Sequence, residues 1–348
     1  MAQSVSWSTA SAVAKQIAKR FPSITSYELA ELRDDFDELI PQAESLVSEL
    51  TGLSSPFAAK ALVVERAGWI DANLKSYQRI LESVKGGILN EAPIVGMDHV
   101  AGVQVGALIG YISSRVLGQY DLIFGSSEAE TGGSIYFVGS NLVALERNFG
   151  FPKKQFRLWV ALHEMTHRFQ FEAISWLKPT FSELVSTMLE VKTPTASDFI
   201  NVAIRVFDSI KDGKSPIPPG GLAELLASKE QADALEKITV LMSIAEGHGD
   251  WVMNRAAKEE IPEAYRFHSL LSTRRTSVSG VAKVLGQLLG LEAKMKQYEV
   301  GEKFIEAIEA QSPGAIDDLF AARENLPTLA ELAEPTLWLS RVKGVGLK

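Results

Sequence analysis

Apolar and charged side chains alternate along most of the chain at the three-to-four-residue spacing of amphipathic helices. The spacing is clear over residues 9–50, where Pro22 and Pro41 are expected to break the helices, and over residues 57–83. It returns beyond Leu222 and continues to the C-terminus. These patterns predict a fold built mainly from α-helices.

Two short runs have instead the composition of β-strands, Tyr120–Phe124 and Ser134–Val138. A polar, glycine-rich segment, SSEAETGG, separates them and predicts a turn. The segment DGKSPIPPGG at 212–221 predicts a surface loop. Together with the helical patterns, these runs predict an α+β fold that is predominantly α-helical and contains a small sheet.

The most hydrophobic stretch, Val100–Leu117, is expected to be a buried helix rather than a membrane span. Gln104 and Arg115 interrupt it, and its flanks add too few apolar residues to cross a bilayer. Its small residues recur at helical spacing: Gly102, Gly106 and Gly110. Such a row lets the backbone of a second helix approach closely, although the same spacing also occurs in packed membrane helices.

Composition removes several classes of function. The formal net charge of −8 repels phosphate backbones, so we expect no nucleic-acid partner. The absence of cysteine excludes disulfides, thiolate metal sites and a cysteine nucleophile. The first twenty residues lack the basic cluster and apolar run of a secretory signal. We therefore expect a cytoplasmic protein that does not associate with membranes.

The residues that indicate chemistry lie in the helical run Lys153–Leu177, as His163-Glu164-Met165-Thr166-His167. Side chains four apart lie one turn above each other on the same helix face, so both imidazoles can reach one metal ion. Glu164 projects beside them, where it can take a proton from water at the metal. The motif predicts a zinc site with Glu164 as general base.

The alternative is a purely structural role, in which His163 and His167 are core histidines bonded to backbone or carboxylate groups. Apolar residues dominate the surrounding sequence FRLWVALHEMTHRFQFEAISWL, which indicates a central helix. Buried polar groups need partners, and a metal ion would supply one. The location of the motif on a buried helix favours the metal site.

A third ligand must come from another part of the chain. The metzincin continuation is absent, because Gln170 and Ala173 occupy the positions of its glycine and histidine. We expect Glu246 to complete a two-histidine, one-glutamate site. Asp250, one turn later, is expected to accept a hydrogen bond from a ligand histidine and fix its tautomer. His248 is the competing ligand, but it lies about 200° around a regular helix from Glu246.

Several segments resemble a bacterial zincin-like metalloprotease family, some of whose members are linked to deazaflavin-cofactor biosynthesis. They are HEMTHRFQF, MSIAEGHGDWVMN, STRR, LGLEAKMKQY and ENLPTLAEL. The Glu-x-x-x-Asp spacing of Glu246 and Asp250 also resembles the second ligand helix of the gluzincins. Gly249 is a departure, since similar sequences tend to place alanine there.

The resemblance implies a zincin-like core with a small sheet beside the histidine helix. We expect an N-terminal helical region over 1–95 and a catalytic region over 96–348, or one continuous domain over 1–348. We expect a zinc-dependent metallopeptidase that acts on a peptide. The alternatives are a hydrolase of small amides or esters and a zincin-fold binding module without catalysis.

A hydrolase of this kind also needs a hydrogen-bond donor for the oxyanion that forms on the substrate. His248 is the expected catalytic donor, with Tyr136 and the pair Arg274-Arg275 as further candidates. The strand Ser134–Val138 is expected to run along the cleft and pair with an extended peptide.

Overall fold

A computed structural model describes residues 5–83, 97–121, 133–189, 228–276 and 298–344. Within them, helices predominate and three short strands form one sheet. This confirms the predominantly helical α+β class. The elements in chain order are α1 (Trp7–Ala18), α2 (Ser26–Thr51), β1 (Lys60–Val64), α3 (Arg66–Ser83), α4 (Met97–Ser113), β2 (Gly118–Tyr120), β3 (Ser134–Val138), α5 (Gly139–Phe149), α6 (Lys153–Ala173), α7 (Leu177–Leu189), α8 (Lys229–Glu260), α9 (Ala264–Thr276), α10 (Tyr298–Gln311), α11 (Ala315–Ala321), a 3₁₀ turn (Arg323–Asn325), α12 (Leu329–Ala333) and α13 (Pro335–Lys343).

The described residues fall into two compact units. The first comprises 5–83, 97–121, 133–178 and 248–273, and the second comprises 179–189, 228–247, 274–276 and 298–344. The division falls inside α8, which is one continuous helix. The boundary expected near residue 95 and the loop at 212–221 both lie outside the described residues, and the division into 1–95 and 96–348 stays a prediction.

The sheet of the first unit has the strand order β1-β3-β2. β1 runs parallel to β3, whereas β2 runs antiparallel to it. β3 has the predicted bounds, whereas β2 begins earlier than predicted. β1 was not predicted, because the sequence pattern over residues 57–83 is that of a helix. Because β3 is the central strand, with its backbone paired on both sides, the expectation that it binds an extended peptide is wrong.

Helix α2 continues through Pro41, where the sequence predicted a break. A proline inside a helix removes one hydrogen bond and costs about 3 kcal/mol. Here the apolar stripe continues on both sides of the proline, with Phe36, Leu39, Ala43 and Val47 all buried. Burial of this stripe offsets the lost bond, so packing overrides the local preference. The break predicted at Pro22 is confirmed, because it lies between α1 and α2.

The glycine row of α4 packs against α1, as the sequence predicted. A Cβ placed on Gly106 would lie 2.5 Å from the carbonyl oxygen of Ala10, and one on Gly110 would lie 2.8 Å from that of Ala14. The two backbones therefore touch. Among the described residues, no helix combines the length and apolarity needed to cross a membrane.

Two buried arginines hold α6, the helix of the two-histidine motif, against its neighbours. Near its start, Arg157 donates to both oxygens of Glu146, at 2.8 and 2.9 Å, and to Asp35 of α2 at 2.5 Å. Near its end, Arg168 pairs with Glu44 of α2 at 3.2 Å and donates to the carbonyl of Phe57. Charge-assisted bonds at both ends fix the helix in position.

The second unit has its own helical core. Phe304, Ile305 and Ile308 of α10 are fully buried, and Phe304 meets Trp338 of α13 edge to face. Where α10 crosses α8, Gly301 lies against the backbone of Ser243, and Gly247 lies against that of Gly301. Glycine on both helices permits a crossing at backbone contact.

Candidate metal centre

The two histidines of the motif meet at their outer ring nitrogens. Helix α6 places His163 and His167 one turn apart, and their Nε2 atoms lie 3.0 Å from each other. The ring planes are nearly perpendicular, at 84°. Two nitrogens that share a tetrahedral zinc at roughly 2.0–2.1 Å each lie about 3.3 Å apart. The pair is thus close to the separation that a shared zinc ion requires.

Glu246 of α8 supplies a third donor to the same point. One ligand atom from each of His163, His167 and Glu246 lies within 4.8 Å of the others, and all three residues are partly exposed. Two imidazoles and a carboxylate are the ligand set of many catalytic zinc sites, which leave a fourth position to water or substrate. The donors present fit zinc, and their partial exposure leaves that position accessible.

Glu164 is held by the edge strand of the sheet. Its Oε2 accepts a hydrogen bond of 2.9 Å from the backbone N–H of Tyr120 in β2. A Cβ on Gly118 would lie 2.5 Å from Cγ of Glu164 and 2.6 Å from its Oε1. Glycine at this position therefore makes room for the carboxylate, and the strand N–H orients it.

Tyr120 is also bound to α6 two turns further along. Its hydroxyl donates to Oε1 of Glu172 at 3.1 Å, and the backbone N–H of Gly133 donates to the same oxygen at 2.8 Å. Arg168 lies 3.1 Å from the other oxygen of Glu172. Burial, and then the charge of Glu172, raise the pKa of Tyr120, so its hydroxyl stays protonated. The network fixes β2 along α6.

His248 contacts Gln170 of α6 and is not part of the three-ligand group. Gln170 links His167 to His248. Its Oε1 lies 3.0 Å from Nδ1 of His167, and its Nε2 lies 2.9 Å from Nδ1 of His248. His248 is 1 % exposed and stacks on Trp251. Burial, with a smaller contribution from the nearby His167, lowers the pKa of His248 from 6.5 to about 3. The ring is therefore neutral at physiological pH.

The remaining candidates have different surroundings. Asp250 is buried in α8, one turn after Glu246. Tyr136 is partly buried and packs against a core cluster formed mainly by α1, α3 and α4. The side chains of Arg274 and Arg275 lie outside the described part of the chain. Gly249 faces the ligands, since a Cβ there would lie 3.5 Å from Nδ1 of His163, an ordinary van der Waals distance.

Gly118, Tyr120 and Gln170 were not recognised from the sequence as residues of this centre. A signal existed for Gln170, which follows His167 by three positions and so shares its helix face. Tyr120 precedes Glu164 by 44 positions and bonds it through a backbone N–H, which no side-chain pattern reveals. The contact depends on the packing of β2 against α6 in the folded chain.

A helix that directs two histidines at one point, with a glutamate between them and a small sheet alongside, defines a protein of the zincin type. The chain belongs to the zincin-like metallopeptidase family, whose profile matches residues 5–339. This confirms the family resemblance found in the sequence. The family implies a divalent metal, typically zinc, and hydrolytic chemistry.

Comparison with solved structures finds a relative of the same fold. The chain is similar to a proposed hydrolase with a novel fold from Chloroflexus aurantiacus, at 27 % sequence identity and a TM-score of 0.72. The alignment covers 98 % of this chain and 100 % of the other. The curated proteins contain no match.

Proposed function

We propose that this protein is a zinc-dependent hydrolase that cleaves the amide bond of a peptide, with Glu164 as general base. The observation that carries the proposal is the partly exposed convergence of His163, His167 and Glu246. A closed structural site uses four protein ligands, whereas three accessible ligands suit an ion that must also meet a substrate. The family membership supports the same chemistry.

His163, His167 and Glu246 would hold the ion, which supplies Lewis acidity to a substrate carbonyl and to water. The carboxylate of Glu164 takes the proton from the attacking water and later delivers it to the leaving nitrogen. The N–H of Tyr120 keeps this carboxylate in one orientation throughout. The neutral, buried His248 supports the site through Gln170, so we assign it a supporting role rather than direct contact with the substrate.

One contact favours hydrolysis of a small amide or ester as the second candidate. A peptide that adds to a sheet edge needs that edge's N–H and C=O groups. At β2 the N–H of Tyr120 is already engaged by Glu164, which removes one donor from the edge. A compact substrate needs no such pairing.

The first experiment measures metal content and turnover. Purified protein grown with zinc is expected to contain about one zinc per chain. The loaded protein is then incubated with a mixture of unstructured peptides and, separately, with a panel of small amides and esters, and the products are identified by mass spectrometry. Cleavage of the peptides alone supports the peptidase, and cleavage of the small compounds alone supports the second candidate.

The matched variants are Glu164→Gln and His163→Ala. Glutamine keeps the size of the side chain and can still accept from Tyr120, but it cannot act as a base. We expect Glu164→Gln to retain zinc and lose hydrolysis by about 100-fold or more, whereas His163→Ala loses the metal. Absence of zinc in the unchanged protein would refute the proposal. Zinc binding without hydrolysis of either substrate class would point to a binding module.

A further inference from the structure

A chain of hydrogen bonds runs from the metal centre into the interior through one amide. His167 Nδ1 lies 3.0 Å from Gln170 Oε1, and Gln170 Nε2 lies 2.9 Å from His248 Nδ1. Gln170 is fully buried and His248 is 1 % exposed. Water therefore has little access to the amide. The amide oxygen is hydrogen-bonded to one imidazole and the amide nitrogen to another.

The chemistry of the amide determines where the protons lie. An amide oxygen only accepts and an amide nitrogen only donates, whereas a neutral imidazole has one nitrogen of each kind. His167 Nδ1 must then carry a proton and donate it to Gln170. Nδ1 of His248 must accept from the amide, which places the proton of that ring on Nε2.

The same assignment makes Nε2 of His167 an acceptor, 3.0 Å from Nε2 of His163. A reversed amide would point its NH₂ group at Nδ1 of His167 and force the proton onto Nε2, the nitrogen needed for the metal. His248 supports the observed direction by accepting from the amide nitrogen at 2.9 Å. The direction of the amide in turn sets the tautomer of the ligand.

We infer that Gln170 is a positioning residue, which with His248 fixes the tautomer of His167 that can bind zinc through Nε2. This rests on the proposed function for the identity of the metal, but the tautomer itself is a property of the metal-free chain. A histidine ligand commonly donates its other N–H to a carboxylate or carbonyl, and loss of that partner costs about 10–100-fold in metal affinity. Here the neutral amide of Gln170 accepts this N–H and adds no buried charge.

The experiment combines ¹⁵N-histidine NMR of the metal-free protein with zinc affinity from competition against a chelator. In the unchanged protein we expect the proton of His167 on Nδ1 and that of His248 on Nε2. Gln170→Leu keeps a side chain of similar size but no acceptor. We expect it to release the tautomer of His167 and to lower zinc affinity about 10–100-fold.

Gln170→Glu is the conservative rescue. One carboxylate oxygen can still accept from His167, so the Nδ1–H tautomer and zinc binding are expected to persist. The other oxygen can no longer donate to His248, whose proton should therefore move to Nδ1. A side chain that merely fills space would not produce this movement. His248→Asn, which retains an acceptor toward Gln170, is expected to bind zinc more tightly than His248→Leu, and this pair serves as the test if Gln170→Leu does not fold.

The outcomes separate the two proposals. Unchanged tautomers and unchanged zinc affinity in Gln170→Leu, in a protein whose parent binds zinc, would overturn the positioning role alone. For a Gln170→Leu chain that does not fold, equal zinc affinity in His248→Asn and His248→Leu would overturn it. A parent protein that takes up no zinc would overturn the proposed function, and the role of Gln170 with it.

Discussion

At the scale of single residues, the proposed base depends on a strand as much as on its own helix. Glu164 lies on α6, but its carboxylate is oriented by the N–H of Tyr120 and has room only because residue 118 has no side chain. An enzyme base must sit within a fraction of an ångström of its working position. The glycine is therefore as necessary to the proposed chemistry as the carboxylate.

Gly118→Ala tests this dependence. The new Cβ would lie 2.5 Å from Cγ of Glu164, so the glutamate or the strand must move. We expect zinc binding to persist and hydrolysis to fall about 100-fold, since a displacement near 1 Å has effects of this size. Gly68→Ala in α3 is the control, because its Cβ would meet Val64 at 3.4 Å. Equal activity of the two variants would contradict the role given to Gly118.

The identity of the third ligand is a second prediction at this scale. A ligand atom of Glu246 lies within 4.8 Å of one from each of the two histidines, whereas His248 is hydrogen-bonded to Gln170. We expect Glu246→Ala to lower zinc affinity far more than His248→Ala, and Asp250→Ala to lower it about 10–100-fold if it orients a ligand histidine. Chelator competition on the three variants ranks them. The opposite order for Glu246 and His248 would make this a three-histidine site.

At the scale of elements, the ligand helix α8 also carries a close helix crossing. Its backbone touches that of α10 at Ser243 and Gly247. At Gly249 it faces the imidazoles, with room for a methyl group. The two glycines of α8 thus serve different purposes: Gly247 permits the crossing, and Gly249 only lines the centre.

Two alanine substitutions test the helix crossing and the lining position separately. The free energy of unfolding of each variant is measured in urea on metal-free protein. Gly301→Ala on α10 would drive a Cβ into the carbonyl of Ser243, and overpacking of this kind costs about 1–3 kcal/mol. Gly249→Ala meets only ordinary contacts and should raise the free energy of unfolding by about 0.5–1 kcal/mol, because alanine favours a helix more than glycine does. A destabilised Gly249→Ala would show that the helix needs the glycine there.

At the scale of the whole molecule, the ligands come from parts of the chain that are far apart in sequence. His167 and Glu246 belong to different helices, so an unfolded chain does not present the three donors at one point. An ion that binds only the folded state stabilises that state by mass action. Zinc is thus expected to act as a stabiliser as well as a reagent.

Thermal unfolding with and without zinc tests this coupling. Free zinc at about 100 times its dissociation constant should stabilise the fold by about 2.7 kcal/mol, and an excess of chelator should reverse the effect. Glu246→Ala should shift little at the same zinc concentration. A melting temperature that zinc leaves unchanged in the parent protein would argue against a site formed only on folding.

The sequence by itself determined the features that depend on neighbours along the chain. Helical periodicity predicted most of the helices, and the four-residue spacing of His163 and His167 placed both imidazoles on one face of α6. The row of glycines in α4 predicted a close helix contact. Each of these follows from local geometry, which a sequence pattern records directly.

Tertiary structure decided what depends on distant partners. Burial on both sides of Pro41 carried α2 through the proline, and pairing with β3 turned residues 60–64 into a strand inside an apparently helical pattern. The same pairing placed β3 in the centre of the sheet, where it cannot bind a peptide. The N–H that orients Glu164 belongs to a backbone 44 residues away, and backbone groups are the same in every residue but proline. Their partners are set by packing, so only the folded chain reveals them.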